Sequence, residues 1–292
     1  MPKNIDFQSF IQKYLKGLPT DFRWQQAPLQ IYPLEKLSKA LKVPTPLLRA
    51  DYFILLVLEK GSFQQQVEIE SFLIKGGNLL FVQEGESFAI QAIDESLKGY
   101  LVLFDKKVLL NFHDKLDVSG LEEMEGLIEP DEKDANWIID LCSLLSLELE
   151  SPKPNRMVGL SLFHAMLQKL LEWSGSKKSI SKQAKLAKLF KKLVKAEFKS
   201  HQQVAYYAEA LNVSENYLNR CVKSHFNKNC KQIIQETVIL KAQIMMLETT
   251  DGFQEICYQV GLEDPSYFSR LFKKITGETP SQFKKGIMHG LS

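Results

Sequence analysis

The hydrophobic pattern changes character along the chain. Between residues 28 and 104, short β-branched or aromatic segments such as Phe53–Leu58 and Tyr100–Phe104 are bounded by turn formers, and glycines punctuate them at short intervals. Many short strands separated by glycine-containing turns are typical of a β-sandwich or barrel. This part of the chain is therefore predicted to be mainly β.

Two helical patterns follow the predicted strands, one from about Asp134 to Leu149 and the other from about Met157 to Trp173. In the second, apolar residues recur at spacings of three and four, which predicts an amphipathic helix. These residues are Leu160, Phe163, Leu167, Leu170 and Leu171. The pattern leaves open whether the two helices cover the barrel or pair with a second subunit.

A domain boundary is predicted where this periodicity disappears. The stretch Trp173–Ser179 contains Gly and Ser and has no apolar repeat, as is typical of linkers. A chain of 292 residues is long enough for two domains. We therefore expect an N-terminal domain over residues 1–173, a linker over 174–180 and a C-terminal domain over 181–292.

The charge balance changes at the same place. Residues 177–292 hold 19 Lys and Arg against 10 Asp and Glu, a net charge of +9, and the remainder carries −7 of the total of +2. This asymmetry favours a polyanionic partner for the C-terminal domain. A basic surface that is merely solvated is the alternative.

After the linker, the whole pattern predicts helix. From Ser181 to Phe198, an apolar stripe and a lysine stripe recur at steps of three and four and so occupy opposite faces. The apolar stripe, expected in the core, is Leu186, Leu189, Phe190, Leu193 and Val194. For the lysine stripe a solvated outer face is favoured over phosphate contact; its members are Lys185, Lys188, Lys192, Lys195 and Lys199.

An internal repeat lies within the C-terminal domain, where residues 204–226 resemble residues 253–277. Each copy has the pattern of a helix-turn-helix, with a short apolar helix and then a turn at Asn212 or Gly261. Ser214 or Asp264 can cap the second helix, and Pro265 fits the first turn of that helix. The second helices are expected to bury Leu218, Phe268, Leu271 and Phe272.

The outward face of each second helix is predicted to carry the chemistry. It presents Asn219, Arg220 and Lys223 in the first copy, and Ser266, Ser269, Arg270 and Lys273 in the second. Arg and Asn side chains read guanine and adenine edges in the major groove. A lone helix-turn-helix pattern is weak support, but two aligned copies with matched arginines in a domain of charge +9 strongly indicate DNA binding.

Residues from about 181 to 285 resemble the DNA-binding domain of AraC/XylS-type transcriptional regulators. The most specific part is in the second copy: Glu255-Ile256, Val260-Gly261-Leu262, the run from Asp264 to Lys274, and the run from Thr276 to Phe283. The resemblance implies two helix-turn-helix units joined by a linker helix over about Lys231 to Leu247. The linker positions expected to face the core are Ile234, Val238, Ala242 and Met245.

The resemblance also implies which residues contact DNA. The base-contact candidates are Asn216, Asn219 and Arg220 in the first unit and Ser266, Ser269 and Arg270 in the second, and Lys223, Lys273 and Lys274 complete the DNA-binding set. Three core positions depart from the family pattern: Cys257 replaces the usual Ala, and Leu262 and Val222 replace Phe. Such exchanges have a modest cost in packing and remove no contact residue.

The N-terminal half resembles, less specifically, the cupin-like sensor barrel of these regulators, and the two helices after it resemble their dimerisation element. This implies a sequence-specific transcriptional regulator, activator or repressor, that is controlled by a small-molecule effector in the barrel. A constitutive DNA-binding protein whose barrel only dimerises is the alternative. Effector-binding residues are unknown at this stage, although Phe81, Gln83, Phe88 and Gln91 are expected at the barrel mouth.

A metal-dependent cupin enzyme is the rival class. Such enzymes need a histidine cluster on the strands, but none of the five histidines lies between residues 28 and 104. The chain also has no G-x-S-x-G, P-loop or G-x-G-x-x-G motif. We therefore expect no enzymatic activity, metal or cofactor.

The expected partners are double-stranded DNA, a small-molecule effector, a second copy of the chain and RNA polymerase. No membrane association is expected, because the longest apolar run, Tyr52–Leu58, is far shorter than the ~20 residues of a membrane span. The first ten residues have no apolar signal region, and the four cysteines form no C-x-x-C pair. These features favour a reducing cytoplasm.

Overall fold

The structure is a computed structural model that describes residues 28–50, 52–112, 120–124, 126–176 and 182–289. The chain divides between residues 178 and 179 into two compact units. The described residues of the first unit are rich in β-structure, and those of the second are helical. This confirms the predicted order of a mainly β part followed by an all-helical part.

The first unit contains two antiparallel sheets. The strands are β1 Leu29–Pro33, β2 Leu48–Arg49, β3 Phe53–Lys60, β4 Ser62–Val67, β5 Glu70–Lys75, β6 Leu79–Val82, β7 Ser87–Ile93, β8 Lys98–Phe104 and β9 Leu127–Ile128. One sheet has the order β1-β8-β3-β6-β9 and the other the order β2-β7-β4-β5. The predicted strand region from residue 28 to Phe104 contains β1 to β8, but a short helix over Leu34–Ser38 interrupts it, and the sequence pattern gives no sign of β9.

The helices of the first unit are α1 Leu34–Ser38, α2 Lys106–Leu109, α3 Gly120–Glu123, α4 Glu132–Glu150 and α5 Arg156–Ser176, and a 3₁₀ turn spans Leu110–Phe112. Helices α4 and α5 correspond to the two predicted helical patterns. Helix α5 continues to Ser176, three residues into the stretch expected as linker. Within the described ranges, no helix combines the length and the apolar character that a membrane span requires.

The β3 strand shows how the first unit divides its core. Residues Phe53–Leu58 of this strand are apolar on both faces, because both faces are covered there. Phe53, Leu55 and Val57 face one cluster, and Ile54, Leu56 and Leu58 face another. The second cluster, called the inner cluster here, lies between the two sheets and includes Leu58, Phe63, Val67, Ile74, Leu80, Val82, Ile90 and Leu103.

The other cluster lies between the five-stranded sheet and the helices. Phe104 on β8 stacks on Phe53, with ring centroids 5.1 Å apart, and meets the edge of Phe163 on α5 at 4.9 Å. The helix residues in this cluster include Leu141, Leu145, Leu167 and Leu170. The inner faces of α4 and α5 therefore cover the sheet. Covering the barrel is one of the two roles that the sequence left open for these helices.

Two of the residues expected at the barrel mouth are on the wrong face for that role. Phe81 belongs to the helix-covered cluster and is 1% exposed. Gln83 lies two residues further along the same face, and its side-chain amide donates to the carbonyl of Leu121 at 3.5 Å. The prediction is wrong for this pair because strand alternation alone does not tell which face of a doubly covered sheet is the interior. Phe88, by contrast, packs against the inner cluster.

The second unit consists, in its described residues, of α6 Lys182–Glu197, α7 Val204–Ala210, α8 Glu215–Phe226, α9 Cys230–Glu248, α10 Phe253–Gln259, α11 Pro265–Thr276 and α12 Pro280–His289. Helix α9 has apolar residues on several sides, and Ile233, Ile239 and Ala242 are completely buried. A helix that is buried around its circumference is central to its domain. Helices α6, α8, α10, α11 and α12 pack against α9, and α7 packs against α6 and α8.

Candidate nucleic-acid interface

The two repeat copies have the same backbone geometry. Helices α7 and α10 are each followed, two residues after their last residue, by a residue with a left-handed backbone, Asn212 at φ 54° and Gly261 at φ 82°. In both turns the following residue donates its N–H to a carbonyl five residues earlier: Val213 to Ala208 and Leu262 to Cys257, each at 3.0 Å. These bonds close the helix end in the same way in each copy. The sequence repeat is therefore a repeat of two helix-turn-helix units.

The second helix of each unit, α8 or α11, is delimited by caps. The Ser214 hydroxyl accepts the N–H of Tyr217 at 3.3 Å, and the Asp264 carboxylate accepts the N–H of Ser266 at 2.8 Å. Both helices end at a left-handed residue, Asn227 and Gly277. The predicted caps are thus confirmed, and the two helices are equal in length at 12 residues.

Burial on these helices is one-sided. Leu218, Cys221 and Val222 are buried on α8, and Phe268, Leu271 and Phe272 on α11. The opposite faces hold the predicted DNA-binding residues, of which the exposed ones are Asn216, Arg220, Lys223, Ser266, Ser269, Arg270, Lys273 and Lys274. Equivalent positions of the two helices therefore present side chains that can reach a nucleic acid.

The two matched arginines have different surroundings. The Arg220 guanidinium lies over the Tyr217 ring, 5.2 Å from its centroid, and this cation–π contact orients the side chain. Among the described residues, Arg270 has no hydrogen-bond or ion-pair partner, and it is exposed. Its donors are therefore available to a ligand.

Asn219 differs from the other predicted residues, because it is half-buried and already bonded within the domain. Its side-chain oxygen accepts the N–H of Cys230, the first residue of α9, at 3.0 Å. An early backbone N–H of a helix has no intrahelical partner, so this bond satisfies one such group. In this structure Asn219 fixes the start of α9 against α8 and does not present a free acceptor.

Helix α9 links the two units. It begins with a capping box, in which Asn229 and Gln232 each accept the other's backbone N–H. Ile234, Val238 and Ala242 are buried as predicted, and Met245 is partly buried against the core of the second unit. The helix has 19 residues and therefore extends one residue beyond each predicted end.

A second contact, which the sequence did not predict, holds the second helix-turn-helix unit against the segment that precedes the first. The Gln202 side-chain amide, in the segment between α6 and α7, donates to the carbonyls of Val260 and Gly261 at 3.1 and 3.0 Å. A Cβ on Gly261 would lie 2.0 Å from the Lys199 carbonyl oxygen. The turn of the second helix-turn-helix unit is thus held directly by the segment that precedes the first one. The residues are 58 and 59 positions apart, and no local pattern signals such a contact.

Helix α6 confirms most of its predicted amphipathic pattern. Phe190 and Val194 are fully buried, and four of the five lysines of the stripe are exposed, the fifth, Lys188, being half-buried. The prediction is wrong for Leu189, which is 45% exposed, and Ala187 is buried instead. Helix α6 packs against α8.

The thiols of Cys230 and Cys257 are buried in the core of the helical C-terminal unit. Burial raises the pKa of the Cys230 thiol to about 12, and burial also raises the pKa of Cys257. Both are therefore thiols at neutral pH and behave as small apolar side chains. In the part of the chain that the structure describes, no three His, Cys, Asp or Glu residues are grouped so that they could hold a metal ion.

Residues 207–286 match the family model described as a helix-turn-helix domain. Over 258 residues the chain is 22% identical to the HTH-type transcriptional regulator YisR of Bacillus subtilis, covering 80% of this chain and 85% of that protein. It is 24% identical to the HTH-type transcriptional activator RhaR of Mannheimia succiniciproducens, covering 86% and 91%. The activator CfaD of Escherichia coli is 37% identical over 76 residues, 26% of this chain and 28% of that protein.

These similarities agree with the geometry. The matched range contains both capped second helices and the linker helix between them. Two relatives with the same class of function align with most of the chain, including the β-rich unit. Residues 207–286 therefore form a helix-turn-helix domain, and most of the chain is similar to HTH-type transcriptional regulators.

Proposed function

We propose that α8 and α11 read base edges in the major groove and that the protein regulates transcription from a specific operator. The observation that carries the proposal is the equivalent placement of Arg220 and Arg270 on exposed faces of two capped helices. An arginine can bond guanine O6 and N7 together, which is the commonest specific contact in the major groove. Asn216, Ser266 and Ser269 lie on the same faces.

The exposed lysines of these helices are assigned to phosphate. Lys223, Lys273 and Lys274 lie in the last turns of α8 and α11, where they are distant from the N-terminal ends that enter the groove first. Phosphate contacts fix the register of the protein on the duplex but carry no sequence information. Asn219 is assigned a positioning role, because its oxygen is bonded to Cys230.

The experiment is a binding-site selection with the full chain, followed by titration of the selected and a scrambled duplex. Arg270→Ala is expected to weaken binding to the selected duplex by about 1–3 kcal/mol and to relax the preference at one position. Lys199→Ala, an exposed charge outside the two second helices, is the control and is expected to change both affinities slightly and equally. Binding by all variants is expected to weaken steeply with salt.

Two results would count against this assignment. Equal weakening of the selected and scrambled duplexes by Arg270→Ala would make Arg270 a phosphate contact. Salt-insensitive binding by the wild-type chain would show that phosphate neutralisation is not the main source of affinity.

For the β-rich N-terminal unit of the chain we propose a cupin-like barrel that binds a small-molecule effector and carries a dimerisation surface. The outer faces of α4 and α5 expose an unusual number of large apolar side chains: Trp137, Leu144, Leu147, Met157 and Val158. Large apolar residues gathered on one surface mark an interaction site, and a second copy of the chain fits the family resemblance. A constitutive DNA-binding protein that only dimerises through this unit is the alternative, and RNA polymerase is a further proposed partner.

The dimerisation surface can be tested by analytical ultracentrifugation of the full chain. Leu147→Asp is expected to shift the protein from dimer to monomer without loss of thermal stability, because Leu147 is 69% exposed. Gln168→Asp, an exposed polar position on α5, is the matched control and is expected to leave the dimer intact. A wild-type monomer at all concentrations would contradict the proposal.

A further inference from the structure

We infer that the interior of the first unit binds a small, uncharged and largely apolar molecule that carries an amide or hydroxyl group, and that Gln65 and Gln91 hold this group. The inference deepens the proposed effector function of that unit and rests on it. It is carried by the burial and hydrogen bonding of two glutamines on neighbouring strands.

The surroundings of these glutamines are apolar. The inner cluster draws side chains from both sheets, and partly buried apolar residues such as Ile54, Phe72, Phe88 and Leu101 extend it toward the surface. An apolar interior with a few placed polar groups is the usual composition of a small-molecule site. The bulk of a bound molecule would therefore be apolar.

Gln65 is the first polar group in this interior. It lies on β4 between Phe63 and Val67, both members of the inner cluster, and is only 4% exposed. Residues i and i+2 of a strand share a face, so Gln65 faces the interior as well. Its side chain forms no hydrogen bond with any described residue. A polar side chain among apolar neighbours gains free energy when a hydrogen-bond partner is added.

Gln91 is the second polar group, and a β-bulge brings it beside the first. In the pairing of β4 with β7, Gln64 is opposite Ala92 and Gln65 is opposite Ile90, which leaves Gln91 as the extra residue. Bulges re-aim a side chain and are common next to functional sites. The Gln91 side-chain oxygen is buried and has no hydrogen-bond partner among the described residues. Two unpartnered amides thus lie at one register position of adjacent strands.

The charges available determine the class of molecule. No Lys, Arg or His is among the buried residues of the described chain, so an anionic ligand would find no counter-charge in the interior. The buried acid Glu68 accepts the backbone N–H of Ser87 at 2.9 Å and is committed to the end of β4. Burying an unpaired charge costs far more than burying a neutral group that gains hydrogen bonds. Two amides provide both donors and acceptors for such a neutral group.

The test compares three probes with the same skeleton, 3-phenylpropanamide, 3-phenylpropanoate and 3-phenylpropylammonium, by ligand-observed NMR with the full chain. The amide is expected to bind at least tenfold more tightly than either charged probe. Replacing both Gln65 and Gln91 by Leu is expected to reduce this preference to less than threefold. Gln64→Leu, at the exposed neighbouring position of β4, is the matched control and is expected to keep it.

A stability measurement separates a ligand-binding role from a structural one. Gln65→Leu is expected to raise the melting temperature, because it replaces a polar side chain by an apolar one among the apolar residues of the inner cluster. A lower melting temperature, tighter binding of a charged probe, or no binding of any probe would overturn the inference. Salt-dependent duplex binding by the same preparation tests the DNA-binding proposal separately, so that failure of one is distinguishable from failure of the other.

Discussion

Gly261 and Gly277 show how much of a residue's importance comes from its neighbours. Both end a helix of the DNA-binding unit, with φ values of 82° and 85°. A Cβ at Gly277 would meet nothing within 4 Å, whereas a Cβ at Gly261 would lie 2.0 Å from the Lys199 carbonyl oxygen. The same backbone conformation is therefore combined with a close backbone contact at only one of the two sites.

This difference predicts unequal effects of alanine. Gly277→Ala is expected to cost about 1–2 kcal/mol of unfolding free energy, the price of a left-handed conformation for a residue with a Cβ. Gly261→Ala adds a steric clash with backbone and is expected to cost more than about 4 kcal/mol, in the range of severe mutations. Urea denaturation of the two variants measures both values. Equal costs would mean that the segment at Lys199 moves away freely.

The sequence predicts turns and caps, which depend on local geometry, better than contacts between distant parts of the chain. Asn212, Gly261, Ser214 and Asp264 are recognisable because turns and caps are set by residues close in sequence. Asn219 is predicted as a base contact, yet its side-chain oxygen accepts the backbone N–H of Cys230, 11 residues further along the chain. The exposure of Leu189 likewise depends on which neighbours α6 packs against, and helical periodicity does not contain that information.

At the scale of elements, α4 and α5 are joined by a polar contact at one end of their apolar interface. The Asp134 carboxylate accepts the indole N–H of Trp173 at 2.9 Å and lies 3.1 Å from the Lys169 ammonium group. These interactions, led by the hydrogen bond from Lys169, lower the pKa of Asp134 below its usual value, and the same contact raises the pKa of Lys169. The ion pair is partly exposed, so its contribution to stability is small.

A pH dependence follows from the lowered pKa of Asp134. A carboxyl whose pKa is lower in the folded state stabilises the fold above its unfolded pKa of about 3.9, and this stabilisation is lost as the pH falls through the folded value. Asp134→Asn is therefore expected to lower the melting temperature at pH 7 and to match the wild type near pH 2. Asp140→Asn, an exposed acid on the same helix, is the control. A constant difference from pH 7 to pH 2 would contradict the argument.

Elements with a strong apolar period are predicted better than short or doubly covered ones. The predicted bounds of α4, α5 and α9 agree with the structure to within three residues. By contrast, β9 has two residues and no recognisable alternation. The faces of β6 could not be assigned either, because Leu79, Leu80, Phe81 and Val82 are all apolar and all buried, and only the position of the helices decides which face is inside.

For the whole DNA-binding unit, the length of α9 constrains how DNA can be engaged. A helix of 19 residues spans roughly 28 Å at about 1.5 Å per residue, whereas successive major-groove turns of straight DNA are about 34 Å apart. Helix α9 packs on both helix-turn-helix units, and Gln202 bonds to the turn of the second. The distance between the two units is therefore not expected to increase on DNA binding. Either the DNA bends toward the protein, at a cost of several kcal/mol, or only one unit reads bases.

The two outcomes can be separated experimentally. Bending is expected to appear as position-dependent mobility when the selected site is moved along a DNA fragment of fixed length. Base reading by one unit is expected to appear as protection of one major groove per subunit. Straight DNA with base protection in two adjacent major grooves would contradict the rigid spacing.

The bonds from Gln202 to the turn of the second unit have a consequence for building hybrid regulators. An exchange that grafts a foreign α10–α11 pair onto this chain would place a new turn against an old Lys199–Gln202 segment, and the two surfaces would not match. A functional graft must therefore carry residues 199–202 with it, although they lie on the far side of the first unit in the sequence. The natural cut point for such chimeras is thus ahead of residue 199 and not within the linker helix, where the internal repeat would invite it.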